Sequence, residues 1–234
     1  MLKYTCYGKN LIILTNIAKN ITLTDILYGI RLETKMNNKF FTARNVSLLG
    51  ILIALVIVLQ IFASAIPMFG ITLNFSLIPI AIAGILLGVA GGSIVGFACG
   101  LVVFITMAVL GQEPSTAFLF HANPTLLTLT CIGKTTLAGA ICGLCFKLLK
   151  NKSVHLAVNV SSILIPIVNT GIYMLGIVLM KGATAEFLGL TSTSAGVVFG
   201  VVFGLIWLNF VLEMVINFIF TPLIYSVIKA LNKK

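Results

Sequence analysis

Residues 45–112, 68 in all, contain no Asp, Glu, Lys or Arg. A helix needs about 20 mainly apolar residues to cross the hydrocarbon core of a bilayer, and a water-soluble domain, with about a quarter of its residues charged, offers no such stretch. The whole chain agrees with this run. Only 9% of its 234 residues are charged, 59% are hydrophobic, and the mean hydropathy is +1.17. A soluble globular protein, a disordered chain and a secreted disulfide scaffold are all excluded. A membrane β-barrel would show segments of about 10 residues in strict alternation, and none occurs. The chain reads as an all-α polytopic membrane protein.

Six apolar segments can be drawn, at about 46–67, 71–88, 92–110, 124–149, 154–180 and 196–228. Pro124 suits a helix start. Pro166 and Pro222 fall inside the last two segments, where neighbouring helices can satisfy the freed backbone groups. With six spans, both termini share one side with the 2–3 and 4–5 connections. That side carries seven basic residues in 1–45, then Lys147, Lys150 and Lys152, then Lys229, Lys233 and Lys234. The other side has Lys181 alone. The positive-inside rule therefore places both termini in the cytoplasm. The outer connections are then about 68–70, 111–123 and 181–195, and the last two are long enough to suggest function. The chain divides into an N-terminal cytoplasmic segment, 1–45, and a six-helix membrane domain, 46–230. The first segment reads as an interfacial helix or as an upstream extension, with Met36 the start.

The net charge of +10 does not point to nucleic acid, because the cations flank spans instead of lining one face with aromatics. Cys142 and Cys145 lack a second pair or a nearby His to complete a metal site. No Walker A motif, Ser/His pair or paired Asp is present in the spans, so neither ATP hydrolysis nor an intramembrane hydrolase is indicated, and no cofactor is implied. Gly92, Gly96 and Gly100, with Gly139 and Gly143 and with Gly196, Gly200 and Gly204, recur at intervals of four, as expected for helices packed closely on one another.

Ionisable groups inside a span are costly and usually functional. Two occur, Lys134 and Glu213. Asn209, Glu213 and Asn217 are four apart and share one helical face, as do Asn169 and Tyr173 in the fifth span. Asn74 opens the second span, and His121 and Asn123 end the loop before the fourth. One reading makes Lys134 and Glu213 a structural ion pair with the asparagines as interhelical glue. The other, which we favour, has these side chains converging on an outward-opening pocket for a polar small molecule. Asn both donates and accepts, and a buried Lys would hold a carboxylate or phosphate.

The chain also resembles a known family, the substrate-binding S components of energy-coupling factor (ECF) vitamin transporters. The likeness lies in six spans within about 200 residues, in Leu48–Leu55 opening the first span, in Ile71-Thr72-Leu73-Asn74-Phe75-Ser76-Leu77-Ile78-Pro79-Ile80 followed by Gly84–Gly88, and in Ile165-Pro166-Ile167-Val168-Asn169-Thr170-Gly171. The resemblance implies a binding subunit, not an enzyme, in a prokaryotic cytoplasmic membrane. It implies a vitamin site near the outer face and, as partners, a transmembrane T component and two ATPases. It also implies that small residues of the first span dock on the T component. The usual Ala-x-x-x-Ala reads Gly50-x-x-x-Ala54 here. Among vitamins, Lys134 favours an acid such as pantothenate over riboflavin, whose flat ring would want walls such as Phe75, Phe120, Tyr173, Trp207 and Phe210. The competing class is a self-sufficient proton-coupled transporter using Glu213.

Overall fold

The structure, a computed structural model, describes residues 41–65 and 74–232. The segment 1–40, including Met36, and the connection 66–73 lie outside the described residues. Among the described residues, eight α-helices and one π-helix follow in order: α1 Ala43–Ala65, α2 Leu77–Val103, a π-helix Phe104–Val109, α3 Pro114–Ala122, α4 Pro124–Leu149, α5 Val154–Leu179, α6 Lys181–Phe187, α7 Ala195–Ile219 and α8 Thr221–Asn232. Among the described residues, five stretches are long and apolar enough to cross a membrane: Ala43–Phe62, Leu77–Val109, Pro124–Leu149, Val154–Leu179 and Ala195–Lys229.

The expected second and third segments are joined in the second of these stretches, but not as one straight rod. Gly88 sits at φ 73°, ψ −163°, a conformation open essentially to glycine alone, and the chain doubles back there. A Cβ on Gly92 would lie 3.0 Å from the Cα of Gly84, although eight residues along a helix are about 12 Å apart. Ser76 Oγ lies 3.2 Å from Cys99 Sγ, 23 positions away. The turn therefore falls at Gly88, earlier than the Gly91-Gly92 pair that marks it in the sequence. The first arm, 77–87, is about 16 Å long at 1.5 Å per residue. It is too short to cross a core of about 30 Å alone.

Both arms pack on α4. The second arm runs antiparallel to it, with Gly92 against Gly139, Gly96 against the Thr135 carbonyl and Gly100 against Ile132. Backbones touch because no side chain intervenes, which is how membrane helices gain dispersion contacts that lipid cannot outcompete. Gly196, Gly200 and Gly204 are different. A Cβ on any of them would meet nothing within 4 Å, so the expected helix packing at that stripe is not found among the described residues. Their helix, α7, turns much of its apolar surface outward, Phe199, Leu205 and Trp207 included, as a lipid-facing helix does.

The expected sixth segment, 196–228, is also not continuous. It breaks after Ile219 into α7 and the short amphipathic α8. Pro222, second in α8, has no N–H with which to extend the ladder of α7, and Thr221 Oγ1 donates to the Phe218 carbonyl at 2.6 Å. The two long connections expected on the outer side fold into α3 and α6. These meet at Phe118 and Phe187, ring centroids 5.4 Å apart. Beneath them Leu119, Leu127, Met174, Ile177, Val198 and Val202 form a buried cluster.

Candidate binding site

A cavity of about 640 Å³ opens beneath α3 and α6, among α1, Asn74 ahead of α2, the end of α2, the π-helix, α4, α5 and α7. That volume lies within the range of small-molecule sites. Its apolar wall includes Val103, Met107, Leu119, Ile177, Val202, Ile206 and Phe210. Val103 and Met107 flank the start of the π-helix. An inserted π turn offsets side chains relative to a regular helix and is frequent at functional sites.

Six of the nine substrate-site residues singled out in the sequence line this cavity: Asn74, Lys134, Asn169, Tyr173, Asn209 and Glu213. The other three do not. His121 is exposed, with its ring 6.0 Å from that of Phe120. Asn123 is the N-cap of α4, where its Oδ1 accepts from the Leu126 N–H at 3.1 Å. Its side chain is spent on helix capping. Asn217, one turn beyond Glu213, is buried, and its Nδ2 donates to the Glu213 carbonyl at 2.9 Å. The i+4 spacing put these side chains on one face correctly. The cavity simply ends before the third of them.

Lys134 projects from α4 with its Nζ 4.9 Å from the centroid of the Tyr173 ring. Such a contact is worth about 0.5–2 kcal/mol. Lys134 forms no ion pair with Glu213 among the described residues, so the pair expected under the structural reading is absent there. Glu213 is only 4% exposed. Its Oε1 accepts from Asn209 Nδ2 at 3.2 Å, and the Asn74 backbone amide also interacts with its carboxyl. Two buried side-chain oxygens in the wall, Asn169 Oδ1 and Asn209 Oδ1, have no hydrogen-bond partner among the described residues. Buried polar atoms are nearly always paired, so these are positions where a ligand's donors would be welcome.

Gln60, Glu113, Ser115, Thr170 and Thr184 also line the cavity and were not singled out. Glu113 is engaged at the mouth, where Ser115 Oγ and Thr116 Oγ1 donate to its carboxylate at 3.0 and 2.8 Å. Gln60 sits in the first span with Ser64 as its one polar neighbour at helical spacing. Its only sequence signal was that of an amide inside an apolar run.

The fold defines an integral membrane protein with a cavity beneath two short helices. The sequence family described as "ECF transporter, substrate-specific component" matches residues 44–225, and the chain belongs to that family. No curated protein and no solved structure matches it. Members of that family are transport-binding proteins, and membership points to a membrane substrate-binding subunit for vitamin-type uptake. It also implies interaction with a T component and ATPases.

Proposed function

We propose that this chain is the high-affinity binding subunit for uptake of a water-soluble vitamin or precursor bearing a carboxylate, a pantothenate-like acid in preference to riboflavin, folate or niacin. The observation that carries this reading is Lys134. It is an ammonium group in the cavity wall with an aromatic face beside it and no carboxylate paired to it among the described residues. A ligand carboxylate would complete it. Asn169 Oδ1, Asn209 Oδ1 and Glu213 would then accept from hydroxyl or amide N–H groups elsewhere on the same molecule. Pantothenate offers that combination: one carboxylate, two hydroxyls and an amide.

The wall suits a flat ring system less well. Of the five aromatic residues considered for that role, only Tyr173 and Phe210 line the cavity. Trp207 is 47% exposed on the outside of α7, and Phe120 is packed edge-on against Phe104 at 5.4 Å. On this reading the lidded end faces outward and both termini lie in the cytoplasm of a prokaryotic cell, in keeping with the thirteen basic residues assigned to that side by the charge pattern. Gly50 and Ala54 remain the proposed docking patch. Both are exposed on α1, and a Cβ on Gly50 would meet nothing within 4 Å.

The test is a thermal-shift titration of the purified chain with pantothenate, riboflavin, folate and niacin, with native mass spectrometry of whatever co-purifies. Stabilisation by pantothenate is expected. Stabilisation by riboflavin alone would reverse the substrate ranking, and silence across the panel would overturn the vitamin-binding reading.

A further inference from the structure

A second hollow, a groove of about 390 Å³, runs along the outside of the bundle where α5 and α7 pack on each other. Ile167, Met174 and Val178 of α5 form one edge, and Phe199, Phe203 and Phe210 of α7 form the other. The Phe199 and Phe203 rings are 4° from parallel, with centroids 5.8 Å apart, so that edge is flat. Gly171 also lines the groove, and a Cβ there would meet nothing within 4 Å. Thr170 brings the one polar side chain, and no charged residue lines the groove among the described residues. Ile167, Phe199 and Phe203 are exposed on helices apolar enough to cross a membrane. The groove therefore continues the lipid-facing surface of α7.

We propose that this groove binds one acyl chain of a bilayer phospholipid, from the leaflet beside α6, and that Phe210 and Thr170 wall that chain off from the polar cavity. The dimensions select the occupant. Residues 167–178 and 199–210 each run about 16 Å at 1.5 Å per residue, and one leaflet supplies about half of a hydrocarbon core roughly 30 Å thick. The groove's end at Val178 and Phe199 lies next to α6, where α5 stops and α7 begins. Spread over that length, its volume gives a cross-section of about 24 Å². A helix about 10 Å across occupies about 80 Å², so a partner helix can rest on the groove but cannot enter it. An unbranched apolar chain can, and it needs no polar partner there. Thr170 and Phe210 line both this groove and the first cavity. They are the common wall between hydrocarbon and the side carrying Asn169 and Asn209, and Phe210, the larger, is the one whose removal would join the two spaces. The inference does not depend on which molecule the cavity holds.

The experiment uses the full chain in phosphatidylcholine nanodiscs doped with a phosphatidylcholine that carries a diazirine midway along one acyl chain. Irradiation attaches the chain to its neighbours, and tandem mass spectrometry locates the adducts. On the parent chain, labelling is expected to concentrate in 167–178 and 199–210 several-fold above the exposed apolar face of α1, and this map needs no variant. Even labelling of the two faces would reveal fluid boundary lipid only and overturn the proposal. Labelling absent from the groove would overturn it too, and would give the groove to a second copy or to a segment outside the described residues. Gly171→Leu fills the groove and should cut labelling there at least about fourfold, the worth of one buried methylene, with the α1 face unchanged. Undiminished groove labelling in a Gly171→Leu chain of parental melting temperature would overturn the site. Phe210→Ala should carry the label to Val103 and Met107, which line the cavity but not the groove, whereas Phe210→Leu should not. Label at Met107 in the parent chain, or in neither variant, would overturn the dividing role of Phe210.

Discussion

Replacing Lys134 by methionine separates the ligand's carboxylate from every other contact it makes. Methionine keeps the unbranched apolar stem against Tyr173 and removes only the charge. In the free protein the loss is the cation–π contact at 4.9 Å, about 1 kcal/mol, together with the nearby cation that the Glu213 carboxyl senses. In the complex the loss is larger. Two unit charges about 4 Å apart interact with roughly 4 kcal/mol at an effective dielectric near 20. Truncating one partner of a buried charge pair typically costs about 2–5 kcal/mol. We therefore expect pantothenate affinity to fall by at least about 2 kcal/mol, roughly 30-fold. The control is panthenol, in which the carboxylate is an alcohol. Isothermal titration of both ligands on both proteins forms a double-mutant cycle in which changes common to the two ligands, including any effect on Glu213, cancel. Equal penalties for the acid and the alcohol would refute the assignment, whatever the absolute affinities.

The remaining expectations concern packing, the lid and the docking face. Gly143→Ala puts a methyl group 2.6 Å from the Gly88 carbonyl carbon and the Val89 nitrogen. It should lower stability by about 1–3 kcal/mol through overpacking, read as a drop in melting temperature, whereas Gly200→Ala, with open space around it, should change little. Phe187→Ala removes the aromatic contact between α3 and α6, a pair worth about 0.5–1.5 kcal/mol beyond area burial. It should speed ligand dissociation several-fold in stopped-flow measurements, and an unchanged off-rate would deny the lid a role in retention. Gly50→Leu should block ATP-driven uptake in cells supplying the partner subunits while leaving the isolated chain's affinity intact. A loss of affinity would place that residue in the binding site instead.

The membrane character and four of the long helices were readable in the sequence because a bilayer imposes a strict length and polarity filter that single residues express directly. The cost of burying Lys134 and Glu213 pointed to two residues that line the cavity for the same reason. Periodicity identified a shared face for Asn209, Glu213 and Asn217, but it carries no depth. A face runs the length of a helix and a cavity does not, so Asn217 was grouped with a site that ends one turn earlier. His121 and Asn123 show a different limit. Asn123 is next to a helix start, where a polar residue serves the helix's own unsatisfied amides as readily as a ligand, and His121 is exposed in the last turn of α3. The glycine repeats behaved similarly, because spacing permits close approach without naming the neighbour. Three stripes looked alike in sequence, yet Gly92, Gly96 and Gly100 meet α4, while Gly196, Gly200 and Gly204 meet no neighbour among the described residues.

The reversal at Gly88 connects these observations physically. It folds the short first arm of α2 back along the second, so that Ser76 reaches Cys99 and Asn74 arrives at the cavity near Glu213. Had residues 77–109 formed one straight helix, it would be about 50 Å long at 1.5 Å per residue. Asn74 and Ser76 would then stand well over 30 Å from Cys99. A single glycine at positive φ thus determines whether Asn74 joins Gln60 on the α1–α2 side of the cavity. The same turn is held in place by Gly143 of α4, whose missing side chain admits the Gly88–Val89 backbone. On this geometry, crowding at Gly143 should disturb the Asn74 wall of the cavity before it disturbs the Asn169 wall on α5.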